Sequence, residues 1–246
     1  NDEVTVKKED IPSKEQQLKN AVTQFPDSTI LIENLAQYYR ENGNYDNAQK
    51  TINNALEKDS LNARLWDMKG TLHFEEGDTL ASISAFEKSI DLNPQPAVII
   101  SLGALYAQTK NSLALVMADG LMLGSKANAE KESLFIKGLY YSNINDKKLA
   151  ISYFDKCLSL NYSFMEAYRE KAIALYDMGN YKEALRVLDK AVTLQNNFDE
   201  GYYYMGRCFE KLNSLPEAIE MYQRALLYDP QYIEAKDALA KLGIKN

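Results

Sequence analysis

The sequence returns to itself every 34 residues. Gly179-Asn180-Tyr181-Lys182-Glu183-Ala184-Leu185 lies four periods after Gly43-Asn44-Tyr45-Asp46-Asn47-Ala48-Gln49, and the glycine, asparagine, tyrosine and alanine coincide. A unit of this length is a pair of helices that cannot bury its apolar face alone and must stack on copies of itself. A stacked array is first a surface for binding and only rarely a pocket for chemistry.

Six units fit the period: 29–62, 63–96, 97–130, 131–164, 165–198 and 199–232. Counting each from slot 1, slot 8 is small, as a close helix crossing requires: Ala36, Gly70, Gly138, Ala172 and Gly206. Slot 20 on the second helix is small as well (Ala48, Ser82, Ala150, Ala184, Ala218), and so is slot 27 (Ala55, Ser89, Cys157, Ala191, Ala225). Large fillers stand between them, at slot 4 (Ile32, Trp66, Leu134, Tyr168, Tyr202) and slot 24 (Ile52, Phe86, Phe154, Leu188, Tyr222). Slots 4, 8 and 11 share one helical face, as do 20, 24 and 27, so each unit contains two amphipathic helices. Gly43, Gly77 and Gly179 at slot 15 separate the two helices, and Pro94 and Pro230 at slot 32 stop the second.

This combination of small, aromatic and proline slots resembles the tetratricopeptide repeat. The resemblance implies an all-α fold, a right-handed superhelical solenoid of antiparallel helix pairs. The third unit departs from the pattern. Leu102, Gly103 and Tyr106 match slots 7, 8 and 11 only with the first helix shifted by one residue, and Leu113 to Gly124 lacks the usual order of small and aromatic residues. It reads either as a drifted repeat or as a kink that divides the array. Residues 13–28 make a half-repeat and 233–246 a capping helix, so that 13–246 is one solenoid behind a polar, aperiodic tether over 1–12.

The net charge of −7 and the absence of basic clusters argue against a nucleic-acid partner. No apolar stretch is long enough to be a transmembrane segment. The chain begins with Asn1 rather than methionine, which suits an exported protein, periplasmic or lipid-anchored, whose leading segment has been removed; a cytoplasmic protein is the alternative. Cys157 and Cys208 fall at core slots, which predicts buried free thiols rather than a disulfide.

Little here points to catalysis. The one histidine, His73, occupies slot 11, where other units place Tyr39, Tyr141 and Phe209, so it is expected to pack with its ring hydrogen-bonded locally. One histidine and two separated cysteines assemble no zinc site, and the eleven glycines include no phosphate loop. No enzyme activity, metal or cofactor is expected.

The resemblance also implies that slots 2, 5, 6, 9, 12 and 13 of the first helices line a concave groove. That groove is polar in the first two units, with Glu33, Asn34, Gln37, Arg40, Arg64, Asp67, Met68, Thr71 and Phe74. It turns apolar and aromatic in the last three, where the candidate partner-binding residues are Phe135, Ile136, Leu139, Arg169, Ile173, Tyr176, Tyr203, Tyr204 and Arg207. Aromatics and arginine dominate binding hot spots, so these side chains read as a patch for an extended or helical peptide. Alternatively they pack against the neighbouring first helix. The Lys and Asn pair with which members of this family grip acidic chaperone tails is absent from slots 5 and 9. The expected function is a non-catalytic scaffold for a protein or peptide partner, plausible in a bacterial cell-envelope assembly. A self-associating structural protein, monomer or homodimer in solution, is the alternative, with an enzyme's regulatory subunit behind it.

Overall fold

The computed structural model describes residues 12–124 and 126–244, so the expected tether falls outside them apart from Pro12. The described residues form fourteen α-helices: α1 (Lys14–Gln24), α2 (Thr29–Glu41), α3 (Tyr45–Lys58), α4 (Ala63–Glu75), α5 (Thr79–Leu92), α6 (Pro96–Gln108), α7 (Leu113–Gly124), α8 (Lys126–Asn143), α9 (Lys147–Leu160), α10 (Met165–Asp177), α11 (Tyr181–Leu194), α12 (Asp199–Lys211), α13 (Leu215–Tyr228) and α14 (Ile233–Lys241). They gather into two compact units, residues 1–99 and 100–246, and the division falls inside α6, in the repeat whose register drifts.

The turn inside each repeat is short because one residue closes one helix and opens the next. The first helix runs into a left-handed residue: Gly43, Gly77 and Gly179 at φ 70°, 81° and 78°, Asn145 at 71° and Asn213 at 58°. Glycine meets no Cβ clash there, and asparagine tolerates the conformation better than most residues. The next N–H reaches back five positions, from Asn44 to the Tyr39 carbonyl at 2.8 Å, from Asp146 to Tyr141 at 2.8 Å and from Asn180 to Leu175 at 2.9 Å. This satisfies a carbonyl that the helix end would otherwise leave open. The side chains of Asn44, Asp78 and Asp146 then accept from the N–H groups of Asn47, Ala81 and Leu149, capping the second helix. In the third repeat the left-handed residue is Lys110, and Asn111 closes on Tyr106 at 2.8 Å, one position early. The one-residue shift of Gly103 and Tyr106 has the same origin.

Within a repeat, slots 8 and 24 share one volume. A Cβ built on Gly70, Gly138 or Gly206 would stand 2.6, 2.5 or 2.6 Å from the ring of Phe86, Phe154 or Tyr222. The two repeats with alanine at slot 8, Ala36 and Ala172, carry the aliphatic Ile52 and Leu188 at slot 24, all fully buried. Close packing leaves room for glycine with a ring, or alanine with a branched chain. Where slot 20 or 27 is polar, it is satisfied by the backbone of its own repeat: Ser82 Oγ donates to the Gly70 carbonyl and Ser89 Oγ to that of Ala63, each at 2.8 Å. The Cys157 thiol reaches the Lys131 carbonyl at 3.5 Å. Cys157 and Cys208 are free and buried, and burial pushes both thiols up to about 12, which keeps them protonated and unreactive.

The irregular region has a physical cause. α8 has 18 residues where α2, α4, α6, α10 and α12 have 13, and it starts at Lys126, five positions ahead of the repeat frame. Ile136 on α8 packs at Gly103 of α6, where an added Cβ would lie 2.9 Å from its Cδ1. α7 turns Leu113, Val116 and Leu123 outward, with Leu123 91% exposed.

Candidate protein-interaction face

In each unit the first helices meet through the same register. Slot 5 of one repeat reaches slot 2 of the next. In the first unit Glu33 accepts two bonds from Arg64, at 2.8 Å (Nε) and 2.5 Å (Nη2). In the second unit the same two slots hold Arg169 and Glu200, with the Arg169 Nη1 at 2.7 and 2.6 Å from the two carboxylate oxygens. The charges have exchanged places. Arg169 also binds Glu170 at 3.1 Å, so its guanidinium is tied down between two carboxylates.

The structure separates the nine candidate residues. Ile136 and Leu139 are buried, at 1% and 8% exposure, so no partner can touch them. Ile136 is taken up by the open backbone at Gly103, which sequence spacing alone does not reveal. The Phe135 ring packs 5.9 Å from Phe154 and 4.9 Å from Phe164, and it belongs to the rim of the core. Tyr203 repeats this arrangement, half-buried against its own unit's rings, 5.8 Å from Tyr222 and 5.0 Å from Tyr232. The signal missed in the sequence is slot 34: Phe164 and Tyr232 sit there, each ready to cover a slot-5 aromatic of its own repeat.

Ile173, Tyr176, Tyr204 and Arg207 remain, all half-buried, together with the outer edge of Tyr203. Three of them converge. The Arg207 guanidinium lies 4.6 Å from the centre of the Tyr176 ring, 5.7 Å from Tyr204 and 6.0 Å from Tyr203. Tyr176 comes from the last turn of α10 and the others from α12, and Tyr181 supports Tyr176 edge-on at 5.2 Å. Burial, reinforced by the Glu170 charge, raises the Tyr204 phenol above its ordinary value, so it stays a neutral hydroxyl. Burial likewise raises Tyr203. The result is a cation held among phenol rings, which offers large rigid area and polar tips at little entropic cost.

His73 is half-buried in the first unit, with Nδ1 3.3 Å from the Gln49 side-chain amide, which also donates to Glu76 at 2.9 Å. No group of three metal-ligating side chains occurs among the described residues. No described helix is long and apolar enough to cross a membrane.

Three profiles described as tetratricopeptide repeat match the chain, over residues 34–96, 131–164 and 149–242. No curated protein matches it. Among solved structures, a tetratricopeptide repeat protein from Parabacteroides merdae is similar with a TM-score of 0.80 at 18% identity, over 92% of this chain and 90% of that one. PilW, a widely conserved type IV pilus biogenesis factor, gives 0.67 at 16% over 86% of this chain and 99% of its own. A thermophilic tetratricopeptide protein of Thermus thermophilus gives 0.64 at 16%, over 74% and 100%. Identities this low speak to the fold alone. The profile matches, together with the slot chemistry of the helix pairs, place the chain in the tetratricopeptide repeat family, with its all-α superhelical repeat fold.

Proposed function

We propose that this chain is a non-catalytic scaffold that holds a protein or peptide segment against the first-helix face of its second unit. Proteins of this family are in general protein–protein interaction scaffolds. The observation that carries the reading is the half-exposed cluster of Tyr176, Tyr204 and Arg207, set beside side chains that are already satisfied by their own unit. Selection from a library of displayed random peptides tests it. Recovered peptides are expected to shift the ring resonances of Tyr176 and Tyr204 and to lose binding to a Tyr176→Ala, Tyr204→Ala double variant. Peptides that bind this variant undiminished, or a selection that recovers none, would remove the reading. A cell-envelope setting belongs to the same proposal, and fractionation of cells that make the native protein checks it: recovery in the cytoplasmic fraction alone would end it.

A second reading, self-association through α7, is favoured by the apolar outward side of that helix. Leu113, Val116 and Leu123 stand there, where α11 presents Lys182, Glu183, Arg186, Asp189 and Lys190. A second copy of the chain is the occupant it implies. Sedimentation over a wide concentration range decides: a dimer lost on Leu123→Lys supports it, and a monomer throughout dismisses it.

A further inference from the structure

Five of the six arginines are ion-paired: Arg40 with Glu75, Arg64 with Glu33, Arg169 with Glu170 and Glu200, Arg186 with Glu183 and Arg224 with Glu220. Arg207 has no carboxylate partner among the described residues. Three carboxylates of α10 and α12 are engaged elsewhere. Glu170 and Glu200 hold Arg169, and Glu210 accepts the Tyr222 hydroxyl at 2.9 Å. Arg207 makes one long bond, from Nη2 to the Tyr176 hydroxyl at 3.4 Å. Contacts with aromatic rings draw on the charge of a guanidinium but do not fill its N–H donors, and four of the five are without a protein acceptor among the described residues. A half-buried cation with unfilled donors has lost part of its hydration and regained little of it from the protein.

We infer that Arg207 takes the side-chain carboxylate of an Asp or Glu in the partner segment, with apolar or aromatic residues on either side of that acid resting on Tyr176 and Tyr204. A carboxylate matches the guanidinium fork in a bidentate pair. A phosphate dianion fits less well, because Glu170, Glu210 and Glu234 all bear on the same cluster and would repel it more strongly. A chain-terminal carboxylate is disfavoured too, since Arg169 is committed and no lysine or asparagine stands beside Arg207 at slot 5 or 9 of these repeats.

This inference rests on the proposed function and can fail without it. The probe is a library of random peptides displayed inside a carrier loop, so that neither end is free, selected on the wild type and on Arg207→Gln. On the wild type an Asp or Glu beside an apolar residue is expected in the recovered sequences. Its replacement by Asn or Gln in a synthetic blocked peptide should weaken binding by at least roughly tenfold. Arg207→Lys should lose part of that preference, and Arg207→Gln all of it. Recovered peptides that lack an acid, or whose acid matters equally on Arg207→Gln, overturn the inference while peptide binding at Tyr176 and Tyr204 stands. Tight binding confined to peptides with a free C-terminal carboxylate or a phosphate overturns it as well. A selection that recovers nothing dependent on Tyr176 and Tyr204 overturns both. The Glu-to-Gln comparison is made on wild-type protein and holds whether or not the variants fold.

Discussion

The first and second units are built alike inside and differ on the face that their first helices present. Gly70 meets Phe86 in the first as Gly206 meets Tyr222 in the second. Both units tie successive first helices by an arginine–glutamate rung between slots 5 and 2, with the charges reversed. Beyond the rungs they part. The first unit follows Glu33 and Arg64 with Asp67, Met68 and Thr71, and its exposed ring on this face is the single Phe74. The second follows Arg169 and Glu200 with Tyr203, Tyr204 and an arginine that has no carboxylate partner among the described residues. The interior slots answer to packing and allow little choice. The slots facing away from it are free to diverge.

If the aromatic face of the second unit is partly its core, Phe135→Ala and Tyr203→Ala should each cost about 2–4 kcal/mol in urea denaturation. Arg64→Ala on the corresponding face of the first unit should cost less than about 1 kcal/mol, since its side chain is 66% exposed. Equal small effects would break the contrast and return Phe135 and Tyr203 to the binding surface.

The likeness of the interiors can be broken as well. Gly70→Ala and Gly206→Ala are each expected to cost about 1–3 kcal/mol by overpacking against a ring. Tyr222→Leu should recover most of the loss in the Gly206→Ala background, because that pair reproduces Ala172 with Leu188. Absence of this rescue would show that slots 8 and 24 do not share one volume.

Reversing a rung sharpens the comparison at smaller cost. Glu33→Arg combined with Arg64→Glu turns the first unit's rung into the second's, and its stability should return to within about 0.5 kcal/mol of wild type. Each single change should be worse than the pair in a double-mutant cycle.

The smallest effect concerns pH. Burial raises the Glu170 carboxyl above its ordinary value, with Arg169 opposing it, and burial with the Glu33 charge raises Asp67 in the first unit. A raised value in the folded state means a contribution to stability that is present below the unfolded pKa and lost as pH rises through the folded one. At neutral pH each unit therefore bears the cost of a buried negative charge. Glu170→Gln and Asp67→Asn should raise Tm slightly near pH 7, with the gain vanishing at about pH 4. A gain that grows in acid would contradict the sign.

Much of the fold is legible from the slots. The helix pairs, the left-handed residue at slot 15 and the small residues at slots 8 and 20 follow from local geometry and volume. Even the pairing of glycine with a ring and alanine with Ile52 or Leu188 is written in the repeats. The face is legible only in part. Tyr176, Tyr204 and Arg207 lie together, as the groove slots imply, yet Ile136 is buried because Gly103 is open beneath it. Slot 34 decides whether a slot-5 aromatic is covered: Phe164 covers Phe135, and Tyr232 covers Tyr203.

The sequence by itself determined the period, the two helices in each repeat, the family and the scarcity of reactive chemistry, because these depend on residue size, helix phase and turn conformation over short spans. Only the tertiary structure decided which outward-facing side chains are already occupied. An ion pair from Arg169 to Glu200 or a ring tilted against Tyr203 joins residues about one repeat apart, and whether such groups meet is set by how one helix pair rests on the next. By that measure Arg207 stands apart, since no carboxylate among the described residues is ion-paired with it.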